Sequence, residues 1–293
     1  MNTLPALFLS HGSPMIALEP RAAGAFMQRL GPAIAAAFGR PKAILVASAH
    51  TLTREPVLLA ASQHEAVYDF GGFDPRLNQM RYDAPGAPAL ATRVAALLQA
   101  AGIPVHRVDQ GGLDHGIWTP LRYVYPDASV PVLPLGWPPN WTPAQLFALG
   151  AALAPLADEG VLIIGSGAIT HNLQRVFASG GLQPVDSAAT PESTAFREWF
   201  AARVAAADWP ALLDYRAQAP HAALMHPSDE HLLPFFIAAG AGVGEGAGAN
   251  PGAGPAERIH ASLEFGDLGM DSYAFGPGAG RLAEQPACDA DPG

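Results

Sequence analysis

Cysteine is almost missing from this chain of 293 residues: Cys288 is the single one. No internal disulfide and no thiolate metal cluster can therefore be built. Its place in a Gly/Pro-rich tail is also a poor one for a catalytic thiol. Positive charge is scarce as well, with 16 Lys and Arg against 26 Asp and Glu and a net charge of −10. Such a surface cannot track a phosphate backbone, so nucleic acid is not the expected partner. Nor is there a run of about 18 uncharged apolar residues that could span a bilayer. The longest candidates, near Val161 and Leu232, are cut by Gly and Pro, so no membrane partner is expected. The first residues lead into a strand without a basic stretch and an apolar leader core, and the expected address is cytoplasmic.

Several catalytic signatures are absent too. No Gly-x-Gly-x-x-Gly follows the first apolar run, and no phosphate-cradling Gly-Lys-Ser/Thr loop occurs. Neither Ser10-His11-Gly12-Ser13 nor Gly165-Ser166-Gly167 is a Gly-x-Ser-x-Gly nucleophile elbow, and the His-Glu-x-x-His helix of metalloproteases is missing. Any metal site must be assembled from His, Asp, Glu and backbone.

What is present is a hydrophobic content of 49%, ample for a core, in a length that suits one large domain or two small ones. Short apolar runs at Ala6–Leu9, Ala43–Ala47, Val57–Ala60, Val105–Val108, Val130–Leu135 and Val161–Ile164 read as strands. Alanine-rich stretches at Arg21–Phe38, Ala87–Ala101, Ala144–Asp158 and Thr194–Ala206 read as helices, and Leu212–Ala219 and Leu232–Ala239 as two more. Thr142 before Pro143 fits a helix cap. Alternating strands and helices predict an α/β fold, a single domain with a central largely parallel or mixed sheet flanked by helices. Residues 1–275 form that domain. A Gly/Ala-rich loop at about 240–256 and the tail 276–293 bury too little apolar surface to offset ordering entropy, and both are expected to be disordered. Arg258–Phe275 is expected to return as one last strand.

The histidines are unevenly placed. Ala6–Leu9 runs into His11, Ala43–Ala47 into His50, and Val161–Ile164 into Gly165-Ser166-Gly167 and then His171. His115 lies in the glycine-flanked loop Gly112-Leu113-Asp114-His115-Gly116, and His231 closes His226-Pro227-Ser228-Asp229-Glu230-His231. Open α/β sheets bind ligands beyond the carboxyl ends of their strands, so histidines at several such ends point to one spot. Converging imidazoles suit a metal ion. A lone histidine is more often structural or solvated, and His64, His106, His221 and His260 are read that way. A third ligand beside His11 and His50 should come from Glu230 or His231, supported by a helix starting near Asp229. Glu230 would complete a two-His-one-carboxylate set for non-haem iron; His231 would complete three imidazoles, for zinc or iron. Spacing does not choose between them.

Taken in order, Leu9 to Pro14, Ser48-Ala49-His50, Tyr68-Asp69-Phe70-Gly71-Gly72-Phe73, Tyr82 to Gly86, Gly112 to Trp118, Gly165-Ser166-Gly167 with His171-Asn172-Leu173, and Pro227 to His231 form a specific set. That set resembles the DODA-type extradiol aromatic ring-opening dioxygenases, the 4,5-DOPA dioxygenase-like branch of the class III extradiol superfamily. The resemblance spans residues 4–240 and, weakly, 258–275. It implies one metal ion held by His11, His50 and His231, Fe(II) for dioxygenase activity with Zn(II) as another bound ion. It implies His171 as a fourth ligand or a nearby base, and His115 as an acid/base toward substrate or dioxygen. The implied partners are a small aromatic diol, DOPA-like or related, and O2. Nothing in the residues reports an oligomeric state.

The chain departs from that family's pattern at Thr51, where an aromatic residue often follows the second histidine, and in the Gly/Ala insertion before Arg258. Tyr68, Phe70, Phe73, Tyr82 and Trp118 are candidates for a catechol pocket, at least half of them expected in the core instead. Asp69 and Asp114 are candidates for orienting histidines through the second ring nitrogen. Two other readings compete: a zinc-dependent hydrolase or lyase on the same scaffold, and a non-catalytic metal-binding relative.

Overall fold

Four parallel strands form the middle of one mixed eight-stranded sheet in the computed structural model, which describes residues 3–177, 182–244 and 255–283. Numbered along the chain, the strands of this sheet are β1 (Ala6–Ser10), β2 (Ala43–Ser48), β3 (Val57–Leu59), β4 (His106–Val108), β5 (Val132–Gly136), β6 (Val161–Gly167), β7 (Ala256–His260) and β8 (Ser272–Phe275). Their spatial order is β4-β3-β5-β2-β6-β1-β8-β7. β5, β2, β6 and β1 run parallel, β3 and β4 run against them, and β8 lies antiparallel to β1 and to β7. Short two-stranded ladders pair Gln63–His64 with Ala84–Pro85 and Leu263–Glu264 with Leu268–Gly269.

The continuous apolar runs follow from burial on both faces, as parallel strands between helices require. Leu7, Leu9, Ile44, Val46, Leu162 and Ile164 face one core, under the helices Arg21–Phe38 and His115–Val124. Phe8, Leu45, Ala47, Leu133, Leu135 and Ile163 alternate to the other face, under Pro143–Leu153, Pro191–Ala205 and Pro234–Val243. The expected α/β fold with helices on both faces is thus borne out. No helix among the described residues is long and apolar enough to cross a membrane.

Four local expectations are corrected. His115 does not lie in a loop; it is the first residue of the helix His115–Val124, whose pattern Gly112, Gly116 and Pro120 had masked. No helix starts near Asp229: residues 230–233 form a turn, and the helix begins at Pro234, where a first-turn proline costs no hydrogen bond. Leu212–Ala219 splits into Trp209–Leu213 and Tyr215–Gln218. Arg258–Phe275 forms the two strands β7 and β8.

Part of the expected loop is also helical. Gly240 to Val243 close the Pro234–Val243 helix, because Gly240 and Gly150 let it touch the Pro143–Leu153 helix backbone to backbone. A Cβ on Gly240 would stand 2.0 Å from the Phe147 carbonyl oxygen, and one on Gly150 2.0 Å from that of Ile237. At the other end of that segment Ala256 opens β7, while 245–254 lie outside the described residues, as do 284–293 with Cys288. At the start of the tail, Ala279–Leu282 form a 3-10 turn with Ala279 and Leu282 buried.

Candidate metal centre

The carboxyl ends of the parallel strands meet at one rim of the sheet. His11 directly follows β1, and His50 sits in a tight turn two residues beyond β2. β6 runs to Gly167, three residues beyond the expected end, because Gly165 to Gly167 continue the pairing with β1 and Gly165 and Ser166 that with β2. The Ala168 amide then donates to the His231 carbonyl at 2.8 Å, which pins the turn before Pro234 onto the end of β6. These three elements bring His11, His50 and His231 together, with one ring nitrogen of each within 4.8 Å of the others. His11 and His231 are buried, and His50 is partly exposed. Of the alternatives left open, His231 joins His11 and His50 in the group of three, whereas Glu230, bonded to His231 Nδ1, falls in a second possible group with His171 and His231.

Hydrogen bonds decide which nitrogen each ring offers. Pro120 has no N–H to bond the Gly116 carbonyl four residues back, so that acceptor is free inside the helix. The Ser166 hydroxyl donates to it. With its only proton committed, Ser166 Oγ must accept from His11 Nδ1–H, at 3.0 Å. His11 Nε2 therefore carries a lone pair. His231 Nδ1–H donates to Glu230 Oε1 at 3.0 Å, which likewise leaves Nε2 free. His50 Nδ1 faces Asp69 Oδ2 at 3.5 Å. His11 Nε2 and His50 Nε2 then confront each other at 3.2 Å. At that distance either a His50 Nε2–H donates to the His11 lone pair or both nitrogens turn lone pairs to one shared cation. Metal–nitrogen bonds of about 2.0–2.1 Å put tetrahedral neighbours about 3.3–3.4 Å apart, so the donor set fits a borderline divalent ion such as Fe(II) or Zn(II).

The electrostatics agree. Burial holds His11 well below the ordinary imidazole pKa, and His50, His115, His231 and His171 lower it further. Burial, then His115 and His231, bring His50 down to about 3 against the pull of Asp69 and Glu230. Burial also lowers His231, despite its Glu230 partner. All three are neutral imidazoles at pH 7, the form that ligates. The hydrogen bond from His231 holds Glu230 at about 2, more than offsetting its burial.

Around this group stand the other candidates. His115 directs Nδ1 to both oxygens of Asp69 at 3.0 Å, and its ring lies 4.0 Å from that of His50. His171 stacks face to face on His231, centroids 3.5 Å apart. Burial and then His231 lower it to about 2. Asp114 turns away from His115: its carboxylate takes the Ser48 hydroxyl at 2.7 Å and the Thr51 hydroxyl. Burial raises its pKa, partly offset by those two hydroxyls. Of the aromatic candidates, Trp118 and Tyr82 are core, Tyr68 and Phe73 are exposed, and Phe70 meets the His115 ring edge-on at 5.7 Å.

His64, His106, His221 and His260 stay outside the cluster. His64 bonds the Gly111 carbonyl, His106 pairs with Glu55 in solvent, and His260 stacks on Phe26. Two residues escaped the sequence reading. Ser166 orients His11, and the signal for it was the exposed-looking Gly-Ser-Gly at a strand end. His226 is fully buried, bonds the Ile169 carbonyl at 2.7 Å through Nε2, and is lowered to about 4 by burial.

An α/β sheet with a histidine cluster at its carboxyl rim defines a metal-site enzyme scaffold, and the comparisons give the class. Residues 5–276 match the family model described as the catalytic LigB subunit of aromatic ring-opening dioxygenase, and the chain belongs to that family. It is 38% identical to 4,5-DOPA dioxygenase extradiol of Beta vulgaris, over 94% of this chain and 97% of that one. It is 37% identical to the Escherichia coli K12 protein of the same name, over 93% and 95% of the two chains. The crystal structure of an uncharacterized Escherichia coli K12 protein superposes with a TM-score of 0.73 at 32% identity, covering 93% of this chain and 100% of that one. The match marks the chain as an enzyme of the aromatic ring-opening dioxygenase class.

Proposed function

We propose that this protein is an extradiol dioxygenase that opens the ring of a catechol, DOPA-like or related, with both atoms of O2. His11, His50 and His231 would hold one Fe(II), which when bound supplies Lewis acidity and one-electron redox chemistry at the diol. The observation that carries the reading is the 3.2 Å approach of His11 Nε2 and His50 Nε2, with the far nitrogen of each ring turned to an oxygen.

His115 acts as the base. Its Nδ1–H is committed to Asp69, so Nε2 holds the lone pair that takes a catechol hydroxyl proton and returns it to the product. His171 is a hydrogen-bonding or proton-carrying neighbour rather than a ligand, since its ring plane runs parallel to that of His231. Phe70 stands edge-on to His115 and offers an apolar wall to the aromatic ring. Fixing the diol against these side chains removes much of the entropic cost of bringing the reactants together.

Metal content of the purified protein comes first, then oxygen uptake after anaerobic Fe(II) loading with a panel of catechols. Uptake with a yellow ring-opened product supports the reading and begins the substrate ranking. Stoichiometric zinc with no uptake under any loading overturns it in favour of a zinc-dependent hydrolase, lyase or non-catalytic relative.

A further inference from the structure

We infer that Asp69 is a positioning residue that fixes His50 and His115 together, one carboxylate setting the tautomer of a metal ligand and of the base. The inference rests on the reading above, in which His50 ligates and His115 moves a proton.

The contacts converge on one group. Asp69 Oδ1 accepts the His115 backbone N–H at 3.0 Å and His115 Nδ1–H at 3.0 Å. Asp69 Oδ2 lies 3.0 Å from the same Nδ1 and 3.5 Å from His50 Nδ1. The backbone contact is unusual, because the residue at the cap of the His115–Val124 helix is Asp114, whose side chain makes no cap bond. Ser48 and Thr51 hold that carboxylate instead. Asp69 therefore caps the helix from outside and orients the side chain of its first residue at the same time.

The loop that carries Asp69 is itself fixed. The Val67 amide donates to the Leu113 carbonyl at 2.7 Å, the Leu113 amide to Glu65 at 2.9 Å, and Trp118 Nε1 to Val67 at 3.2 Å. A carboxylate can only accept, so His115, hydrogen-bonded to it, keeps its proton on Nδ1, and the same carboxylate 3.5 Å from His50 Nδ1 favours the Nδ1–H form there too. Their Nε2 lone pairs then point away from Asp69, toward His11 in the case of His50.

An amide cannot do this. In Asp69→Asn the one remaining oxygen is held by the two His115 donors, and the NH2 group turns to His50 Nδ1. His50 is then expected to accept at Nδ1 and carry its proton on Nε2, the nitrogen that faces His11 and would ligate a metal.

Zn(II) affinity by chelator competition and long-range 1H–15N imidazole spectra of the metal-free protein test the inference. In the wild type both His50 and His115 are expected as Nδ1–H tautomers. In Asp69→Asn, Zn(II) binding should weaken about tenfold to a hundredfold, with His50 converted to the Nε2–H form. Affinity within about twofold of wild type, or unchanged tautomers, would overturn the inference. Should the variant not fold, an Nε2–H tautomer at either histidine in the wild type overturns it equally. Neither readout uses catechol or O2, so failure of oxygen uptake counts against the proposed activity alone. Full Zn(II) affinity in His50→Ala would remove the ligand assignment beneath both.

Discussion

His171 and His231 lie face to face, with ring centroids 3.5 Å apart and planes 9° apart. Imidazole lone pairs lie in the ring plane, and nearly parallel planes at that spacing do not bring them to one point. A cation shared by both would sit well out of at least one plane. His171→Ala is therefore expected to keep one metal per chain and lose turnover by about 10²–10⁴-fold, the range for a positioned acid or base. His11→Ala should lose the metal. Metal analysis of the two variants side by side checks this, and equal loss in both would make His171 a fourth ligand.

Ser166→Ala tests the link between fold and site. The hydroxyl connects the Gly116 carbonyl, freed by Pro120, to His11 Nδ1. Its removal leaves a buried N–H and a buried carbonyl without partners, at a cost of about 1–3 kcal/mol for each group left unsatisfied. It also frees the His11 ring to rotate or change tautomer. Metal affinity should fall about tenfold to a hundredfold, with a lower urea midpoint. An unchanged midpoint and affinity would show that water or a rearranged ring replaces the serine.

The strand exits were legible because the apolar runs, the turn residues and the histidines that follow them are local signals. His11, His50 and His171 could thus be placed at one rim from the sequence alone. Glu230 and His231 could not be told apart, since both ligate and they are adjacent. What puts His231 beside His11 and His50 is the turn of residues 230–233, held by the bond from the Ala168 amide to the His231 carbonyl, a contact between residues far apart in sequence that no local window reveals. The His115 helix was hidden for a related reason. Gly116 and Pro120 are poor helix residues, kept here because Gly116 leaves room for Ser48 Oγ and His11, and Pro120 releases a carbonyl.

Acid should unfold the metal-free protein early. His11, His50, His171, His226 and His231 all have folded pKa values below the 6.5 of a free imidazole. As pH falls through 6.5 the unfolded chain takes up these protons first. The stability due to their neutral burial is complete above that pH and is lost on the way down toward about 4 for His226 and about 3 for His50. Each group contributes at most about 1.4 kcal/mol per pH unit in that window. Glu230, lowered to about 2, adds a loss in the same direction once pH falls below 4.5. Urea midpoints measured at about pH 7.5, 6.5, 5.5 and 4.5 are expected to hold and then drop steeply; a flat series would contradict neutral burial of the cluster. Bound Zn(II) should move the drop to lower pH, because protons must compete with the ion.

Gly167→Ala should damage the site through the backbone alone. A Cβ at Gly167 would lie 1.9 Å from the His231 carbonyl oxygen and 2.9 Å from its carbon, and neither is the far end of a flexible side chain. Gly167 also pairs with Ser10, one residue before His11, so the end of β6 cannot move aside without moving β1. The turn of residues 230–233 must shift instead, and it carries His231 out of the group of three. Overpacking of this kind costs about 1–3 kcal/mol or more, which predicts a lower thermal midpoint together with loss of metal affinity. Gly71, where an added methyl would meet nothing within 4 Å, is the control: Gly71→Ala leaves both unchanged. If Gly167→Ala binds metal as tightly as that control, His231 is not held by its contact with β6, and its place in the centre needs another support.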